Sequence, residues 1–130
     1  MRKIIYTDAG YSMQQKRGWL AVFNRKAKIT EVDIPVIKGL QQYSNLLELW
    51  GVLNAMKSTK AKKVLIYTDS MVTMHWFYRR KNNLMKFSKH HYRIKDEIDK
   101  EKERFESIDV KWVPRDKNPA GIALEKRYKI

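Results

Sequence analysis

The sequence predicts an α/β fold, in which helices cover a largely buried β-sheet. Two short apolar runs, at residues 4–6 and 64–67, each lead into Thr-Asp and then a turn, as strands buried on both faces do. A nearly all-apolar helix pattern lies between them, and parallel strands need such a crossover connection. Since 43% of the 130 residues are hydrophobic, we expect one globular domain spanning residues 1–130.

The first half of the chain predicts an antiparallel meander followed by a helix. Strands are expected over residues 3–8, 18–24 and 28–37, with a polar loop at 9–17 and a short turn after the second strand. Pro35 favours an edge position for the third strand, because proline cannot donate a ladder hydrogen bond. Ser44 is then expected to cap a helix that ends near Lys57.

The second half predicts two more strands and three helices. Residues 63–68 form the fourth strand, parallel to the first, and a helix follows to about residue 79. A longer helical region over 86–105 mixes acids and bases on what we interpret as a solvated face rather than a metal site. Residues 108–114 alternate as a fifth strand, and Asn118 caps a last helix that starts at Pro119 and ends near Arg127.

Glu48 is the unusual residue of the first helix. It is one of only two polar side chains between Leu46 and Met56, and a helix that is apolar nearly all round is buried. Glu48 also shares a face with Gly51 and Ala55, a small face of the kind that packs on a sheet. A buried carboxylate needs an arginine, a proton or a metal. The alternative is that Glu48 lies exposed in the first turn, where it would only interact favourably with the helix dipole.

The net charge predicts the class of partner. There are 28 lysines and arginines against 14 acids, a formal charge of +14, which favours a polyanion such as nucleic acid. A lysine-rich proteome is the alternative explanation. The basic residues are concentrated, however, at 57–63 and at 79–95, and aromatic side chains are interleaved with the second cluster. Such a surface offers cations for phosphates and flat rings for bases.

Several classes of protein are excluded or disfavoured. The chain has no cysteine, which excludes disulfide scaffolds, thiol catalysis and cysteine zinc sites. No apolar run approaches the ~18 residues of a membrane span, and the N-terminus lacks the pattern of a secretory signal. We therefore expect a cytoplasmic monomer that has no membrane partner and no small-molecule cofactor.

Four segments together resemble the motifs of the ribonuclease H type 1 family. They are residues 6–10 (Tyr-Thr-Asp-Ala-Gly), 44–51 (Ser-Asn-Leu-Leu-Glu-Leu-Trp-Gly), 67–70 (Tyr-Thr-Asp-Ser) and 112–118 (Trp-Val-Pro-Arg-Asp-Lys-Asn). Each motif alone is weak, but their order and spacing span essentially the whole chain. The resemblance implies an RNase H-like fold: a five-stranded mixed sheet, made of a three-strand antiparallel meander plus two parallel strands, flanked by helices.

The resemblance also implies an activity and its cofactors. The protein would be an endoribonuclease that hydrolyses the RNA strand of RNA/DNA hybrids and leaves 3′-hydroxyl and 5′-phosphate ends. Asp8, Glu48 and Asp69 would be the catalytic and metal-binding carboxylates, with Asp8 shared between two Mg²⁺ ions. Mn²⁺ would be a substitute. Paired cations of this kind neutralise charge on the scissile phosphate and activate a water.

Substrate contacts are implied around these carboxylates and on the basic segment 79–95. The candidate residues are Ala9, Gly10, Ser12, Ser44, Asn45, Ser70, Arg79, Arg80, Lys86, Lys89, Arg115 and Asn118. Asn45 and backbone groups near Ala9 would contact sugars or base edges, where 2′-hydroxyls distinguish RNA from DNA. The basic segment would bind phosphates of the DNA strand, and His90 and His91 are expected near those phosphates or at the surface.

The fourth motif departs from the family. Family members have an aspartate at the start of the last helix, whereas this chain has Gly121 and Ile122 there. Glu125 lies one turn further on and is a possible replacement ligand, although an ordinary exposed residue is the favoured interpretation. Two other functions therefore stay open: a nucleic-acid-binding module with little or no turnover, and a DNA junction resolvase. An exonuclease is disfavoured, because no second acid follows Asp8.

Overall fold

The computed structural model describes residues 2–35, 43–79 and 89–128. The elements, in chain order, are β1 (Lys3–Ser12), β2 (Arg17–Asn24), β3 (Lys26–Asp33), α1 (Tyr43–Lys57), β4 (Lys63–Thr68), α2 (Met71–Tyr78), α3 (Lys89–Lys102), β5 (Ser107–Trp112) and α4 (Pro119–Tyr128). A 3₁₀ turn at Arg115–Lys117 precedes α4. No helix among the described residues is long and apolar enough to cross a membrane.

The sheet has five strands in the order β3-β2-β1-β4-β5. β2 pairs antiparallel with both β1 and β3, and β4 pairs parallel with both β1 and β5. The predicted mixed sheet, with its meander and two parallel strands, is therefore confirmed. β3 is an edge strand, as Pro35 indicated, but it ends at Asp33, so Pro35 follows the strand. The rest of the predicted third strand, residues 36–37, lies outside the described residues.

β1 is longer than the sequence predicted. Residues 9–12, expected in a loop, continue the strand and pair with residues 17–20 of β2. Strand pairing overrides the weak strand pattern of this Ala-Gly-Tyr-Ser segment, since β-propensity depends strongly on context. The parallel ladder between β1 and β4 nevertheless stops at Tyr6 and Tyr67. Asp8 therefore still lies beyond the carboxyl end of the parallel ladder, although it is inside the strand.

Two apolar clusters hold helices on both faces of the sheet. The larger contains Ile5, Val64 and Ile66 from the strands and the inner residues of α1, α2 and α3. The smaller joins Trp19 and Ala21 of β2 to Ala120 and Leu124 of α4. Side chains of a strand alternate between faces, so α4 lies on the face opposite α1. The nearly all-apolar α1 is buried, as predicted, and each buried large aliphatic side chain contributes roughly 1.5–3 kcal/mol.

Helix boundaries differ from the predictions in two places. α1 begins at Tyr43, so Ser44 lies inside it rather than capping it, and Glu48 falls in the second turn instead of the first. α3 ends at Lys102, because the chain turns there and Arg104 donates hydrogen bonds to carbonyl oxygens of Met56 and Thr59 at the end of α1. The predicted helix start at 86–88 lies outside the described residues.

Candidate active site

Three carboxylates converge at one end of the parallel strands. Ligand oxygens of Asp8, Glu48 and Asp69 all lie within 4.8 Å of one another. Asp8 comes from β1, Asp69 follows the last residue of β4, and Glu48 projects from α1. These are the three acids that the sequence singled out. The carboxyl edge of parallel strands is where open α/β sheets place their sites.

Close packing of α1 on β1 brings Glu48 into this cluster. A Cβ at Gly51 would lie 3.0 Å from Thr7 Oγ1 and 3.6 Å from the Asp8 carbonyl oxygen, so a larger residue there would push the helix away. The approach lets Glu48 Oε1 accept a hydrogen bond from the Ala9 backbone N–H at 3.3 Å. The side chain of Glu48 is consequently buried.

Burial and like charge raise the pKa values of two of the carboxyls. The pKa of Glu48 lies well above the ordinary glutamate value, chiefly because the group is buried and further because Asp8 is negative. The pKa of Asp8 is also raised, mainly by burial, although the neighbouring carboxyl of Glu48 opposes part of the rise. In the absence of a cation, burial and the neighbouring acids thus favour the neutral form of Glu48 over its anion.

The donor set fits a hard divalent cation. Glu48 Oε2 is buried and has no hydrogen-bond partner, which is costly for a polar atom away from water. A cation bound by the three carboxylates would give this oxygen a partner and relieve their repulsion. Mg²⁺ and Mn²⁺ prefer such oxygen ligands. The residues present therefore suit the metal that the sequence resemblance implied.

Gly121 occupies the fourth side of the cluster. A Cβ at this position would lie 2.8 Å from Asp8 Oδ2 and 3.7 Å from Asp69 Oδ2. The neighbouring Ile122 is 47% exposed and points elsewhere. The structure thus identifies Gly121, rather than Ile122, as the position facing the carboxylates. The carboxylate of Asp8 takes up the space that a side chain at position 121 would need.

Glu125 does not replace the absent acid in this arrangement. It lines the same cleft, but it is outside the cluster that Asp8, Glu48 and Asp69 form among the described residues. Its Oε1 lies 3.4 Å from Arg115 Nη2, and both side chains are well exposed. The positive charge of Arg115 also lowers the pKa of Asp8, but less than burial raises it.

Comparison with known proteins assigns the family. The family model of RNase H matches residues 1–120. The chain belongs to the RNase H family. Its fold is similar to the crystal structure of RNase H1 from the halophilic archaeon Halobacterium salinarum NRC-1, with a TM-score of 0.72, 12% identity and all of both chains covered. At this identity the likeness shows an RNase H-like fold. No curated protein matches the chain significantly.

Asn118 links the elements of this RNase H fold around Asp69. Its amide nitrogen donates to the Thr7 carbonyl oxygen at 3.0 Å and to Asp69 Oδ2 at 3.3 Å. Its side-chain oxygen accepts from the Ala120 N–H at 3.1 Å, which confirms the predicted cap of α4. The residue is fully buried. Its side chain makes its bonds within the protein, so it orients Asp69, although the sequence resemblance suggested a substrate contact.

Two further groups fix the segment that carries Asp69. Trp112 Nε1 donates to the Asp69 carbonyl oxygen at 3.2 Å. Ser70 Oγ accepts a hydrogen bond from the Thr73 N–H at 3.2 Å and caps α2. Sequence reasoning missed the role of Trp112, because the indole donor acts on the backbone of a residue 43 positions away. The only sequence signal was its place within the fourth RNase H motif.

Apart from Asn118, the predicted substrate residues fall into three groups: those that line the cleft, those that do not, and those outside the described part of the chain. A cleft of about 370 Å³ beside the carboxylates is lined by several of them, namely Ala9, Gly10, Ser44, Ser70 and Arg115. Arg79 and Lys89 are exposed at the ends of α2 and α3, while Ser12 and Asn45 are partly buried. Arg80 and Lys86 lie outside the described residues. Of the basic candidates, only Arg115 lines the cleft among the described residues. The substrate contacts of all these residues stay predictions.

Two predictions for the basic segment are wrong. His91, expected near phosphates or at the surface, is 1% exposed, and its ring lies 5.7 Å from that of Trp76. Lys95 is fully buried and donates to the Phe77 carbonyl oxygen and to Asp99. Both belong to the face of α3 that packs on α2, and charge density along a sequence does not reveal which face is inside.

Proposed function

We propose that the protein is a metal-dependent endoribonuclease that hydrolyses the RNA strand of RNA/DNA hybrids, leaving 3′-hydroxyl and 5′-phosphate ends. Its membership of the RNase H family and its fold support the class of activity. The convergence of Asp8, Glu48 and Asp69 around a buried, unpartnered carboxylate oxygen is the observation that carries the proposal. A protein without a cation site has no reason to bury Asp8 and Glu48 beside a third acid, because the burial of unpaired charge costs several kcal/mol.

Asp8, Glu48 and Asp69 would hold the catalytic cations, two Mg²⁺ ions or Mn²⁺ in their place. When bound, such ions stabilise charge on the scissile phosphate and lower the pKa of an attacking water. By the resemblance to the family's first motif, Asp8 would be the carboxylate that the two ions share. A bound cation would favour the anionic form of Glu48, because the ligand form of a carboxyl is the anion.

The protein surface around the carboxylates suits a hybrid. The backbone of Ala9 and Gly10 and the hydroxyl of Ser44 line the cleft, where they would meet the minor groove and its 2′-hydroxyls. Arg115 is exposed at the same cleft and would contact a phosphate. The formal charge of +14 supplies the long-range attraction to a polyanion.

One observation favours a binding module with weak turnover as the second candidate. Gly121 brings no carboxylate to the site, and Asp8 Oδ2 lies where a Cβ would be. Such a protein would bind hybrids through the same cleft and cleave them slowly. The three remaining acids still provide a cation site, and for this reason we place the nuclease first.

A cleavage assay separates these candidates. End-labelled RNA/DNA hybrid, duplex RNA, duplex DNA and a four-way DNA junction are incubated with the protein in Mg²⁺ and in Mn²⁺. We expect cleavage of the hybrid alone and its loss in Asp69→Asn. Asp116→Asn, which changes an exposed acid next to Arg115, is the matched control and should cleave normally. Hybrid binding without cleavage in either metal would establish the binding module, and junction cleavage would establish a resolvase.

A further inference from the structure

A second cleft lies where β1 begins and β2 ends. It is on the face of the sheet that α4 only partly covers. Its volume is about 640 Å³, and its lining includes Arg2, Lys3, Ile4, Tyr6, Phe23 and Arg25. Tyr6 and Phe23 touch the edge of the cluster that α4 forms with β2. Ile4, four residues before Asp8, is about 13 Å from it along the strand. The cleft is therefore distinct from the one beside the carboxylates.

The aromatic rings of Tyr6 and Phe23 line this cleft, and the ring of Tyr67 packs against Tyr6. The ring of Tyr6 stacks on that of Tyr67, with centroids 5.2 Å apart and planes inclined by 22°. Phe23 meets Tyr6 edge to face at 6.4 Å. Ile4 next to them is 47% exposed. Flat apolar surfaces of this kind bind nucleic-acid bases by stacking, whichever base is present.

Three basic residues line the same cleft. Arg2 and Arg25 are exposed, and Lys3 is partly so. Arg2 lies 4.0 Å from Asp109, which is a long ion pair, whereas Lys3 and Arg25 form no ion pair within the described part of the chain. An apolar partner would gain nothing from three such charges. A phosphate chain would gain from each of them.

The backbone of Arg25 adds a second observation. This residue forms the turn between β2 and β3 and has φ of 71°, the left-handed conformation that costs a non-glycine residue about 1 kcal/mol or more. Glycine would make the same turn without strain. The chain instead places an arginine there, at the rim of the cleft.

We propose that this cleft binds a short single-stranded stretch of nucleic acid. The bases would stack on Tyr6, Phe23 and Tyr67, and the phosphates would lie against Arg2, Lys3 and Arg25. A duplex cannot present unstacked bases to such rings, so the occupant is a single strand. The site goes beyond the proposed nuclease activity and does not depend on it, since none of its residues belongs to the carboxylate cluster.

Binding of labelled single strands tests this site. Fluorescence anisotropy with six-residue oligothymidylate and oligouridylate is measured in EDTA, where metal-dependent cleavage cannot occur. We expect Phe23→Leu and Tyr67→Leu each to weaken binding about 5- to 150-fold, the range for the loss of one stacked base. Arg25→Gly should weaken binding and reduce the slope of log K against log salt by about 0.7.

Lys16→Gly is the matched control for Arg25→Gly. Lys16 is an exposed cation with φ of 54° in the other hairpin, so its replacement removes the same charge and the same strain far from the cleft. It should bind single strands like the wild type. Equal losses in the two glycine variants would show a diffuse charge effect and overturn the proposal.

Photocrosslinking locates the bound strand directly. Oligouridylate containing 5-iodouracil should crosslink to Tyr6, Phe23 or Tyr67, as mapped by mass spectrometry of the digested protein. Crosslinks confined to the carboxylate cleft or to α3 would overturn the proposal. A second contrary outcome is that the protein binds phosphatidylserine vesicles and that Arg25→Gly abolishes this binding but not the binding of oligonucleotides. The cleft would then bind a lipid surface. A protein that binds here but never cleaves hybrids would refute only the nuclease proposal.

Discussion

Replacement of Gly121 by aspartate adds a fourth carboxylate to the site, and Gly121→Ala is its matched control. Both variants add a Cβ that would lie 2.8 Å from Asp8 Oδ2, so both must displace that carboxylate. The obstacle is the end of a side chain, which moves more easily than backbone. Both variants also gain roughly 0.5–1 kcal/mol because glycine is unfavourable inside a helix such as α4. The difference between them isolates the new carboxylate.

The size of that difference depends on the metal. Without metal, the added charge at position 121 faces Asp8 and Asp69, and Asp69 Oδ2 is 3.7 Å from the new Cβ. Two like charges about 4–5 Å apart repel by about 3–4 kcal/mol at an effective dielectric constant of 20. Part of this is relieved by protonation, so we expect Gly121→Asp to be about 1–3 kcal/mol less stable than Gly121→Ala in EDTA.

With Mg²⁺ or Mn²⁺ this difference in stability should shrink or vanish. A fourth ligand that tightens cation binding about tenfold contributes about 1.4 kcal/mol at saturating metal. For a chain of 130 residues, each kcal/mol changes the melting temperature by about 3–5 °C. The metal-induced rise in melting temperature should therefore be largest in Gly121→Asp and smallest in Gly121→Ala, and hybrid cleavage in Mg²⁺ should follow the same order.

Calorimetric titration with Mn²⁺ and thermal melting, each in metal and in EDTA, make this comparison. The reasoning fails if the aspartate and alanine variants respond identically to metal while both remain folded. Position 121 would then not face the cation site. A gain in metal affinity without a gain in cleavage would confirm that position 121 faces the cation site. It would also show that the lack of an acid there does not limit the rate of cleavage.

Three further changes test the carboxylates and the core. Glu48→Gln should raise the melting temperature in EDTA, increasingly at higher pH, because the pKa of buried Glu48 is well above its usual value. Asn118→Ala removes the donor to Asp69 and should lower kcat for hybrid cleavage about tenfold with little change in KM, in steady-state kinetics. Arg104→Ala removes two bonds to the end of α1 and should lower the free energy of unfolding by about 2–3 kcal/mol in urea titrations.

The sign for Glu48 follows from proton linkage. The folded protein keeps the Glu48 proton to a higher pH than the unfolded chain does. Between the two pKa values the unfolded state binds fewer protons, so stability falls as pH rises through that window. Glutamine cannot ionise and escapes this loss. Glu125→Gln, which changes an exposed carboxylate, is the control. The same pH dependence in wild type and Glu48→Gln would contradict the assignment.

The other two predictions also have outcomes that contradict them. If Asn118→Ala changed KM and left kcat intact, the amide would contact the substrate rather than orient Asp69. Arg104→Lys keeps the charge but cannot reproduce the fork that reaches both Met56 and Thr59. It should therefore lose much of the stability that Arg104→Ala loses. Full stability of the lysine variant would show that charge alone matters there.

The fold was largely predictable because it depends on the spacing of apolar residues. The apolar patterns of the strands before Asp8 and Asp69 and of α1 predicted buried elements, and the structure contains them. The extension of β1 to Ser12 was not predictable, since residues 9–12 (Ala-Gly-Tyr-Ser) carry no apolar alternation and become a strand only through pairing with β2. The outward positions assumed for His91 and Lys95 failed for a similar reason, because the partner helix α2 decides which face of α3 is buried.

The candidate site divides in the same way between local and long-range information. Asp8, Glu48 and Asp69 stood out because each acid interrupts or ends an apolar pattern, which is a local signal. Whether Gly121 or Ile122 faces them depends on the rotation of α4 about its axis. Asn118 helps fix that rotation by its hydrogen bonds to Thr7 and Asp69. The position of the missing acid thus required the structure.

Charge balance explains why this absence matters for Asp8 in particular. The three carboxylates supply at most three negative charges, whereas two divalent cations bring four positive ones. Under the proposed two-cation mechanism, the lack of an acid at position 121 would leave the second cation dependent on the negative charge of a substrate phosphate. Asp8, whose Oδ2 lies beside Gly121, would be the ligand shared by both ions. The glycine would thereby make a complete two-cation site depend on the nucleic acid that the site would cleave.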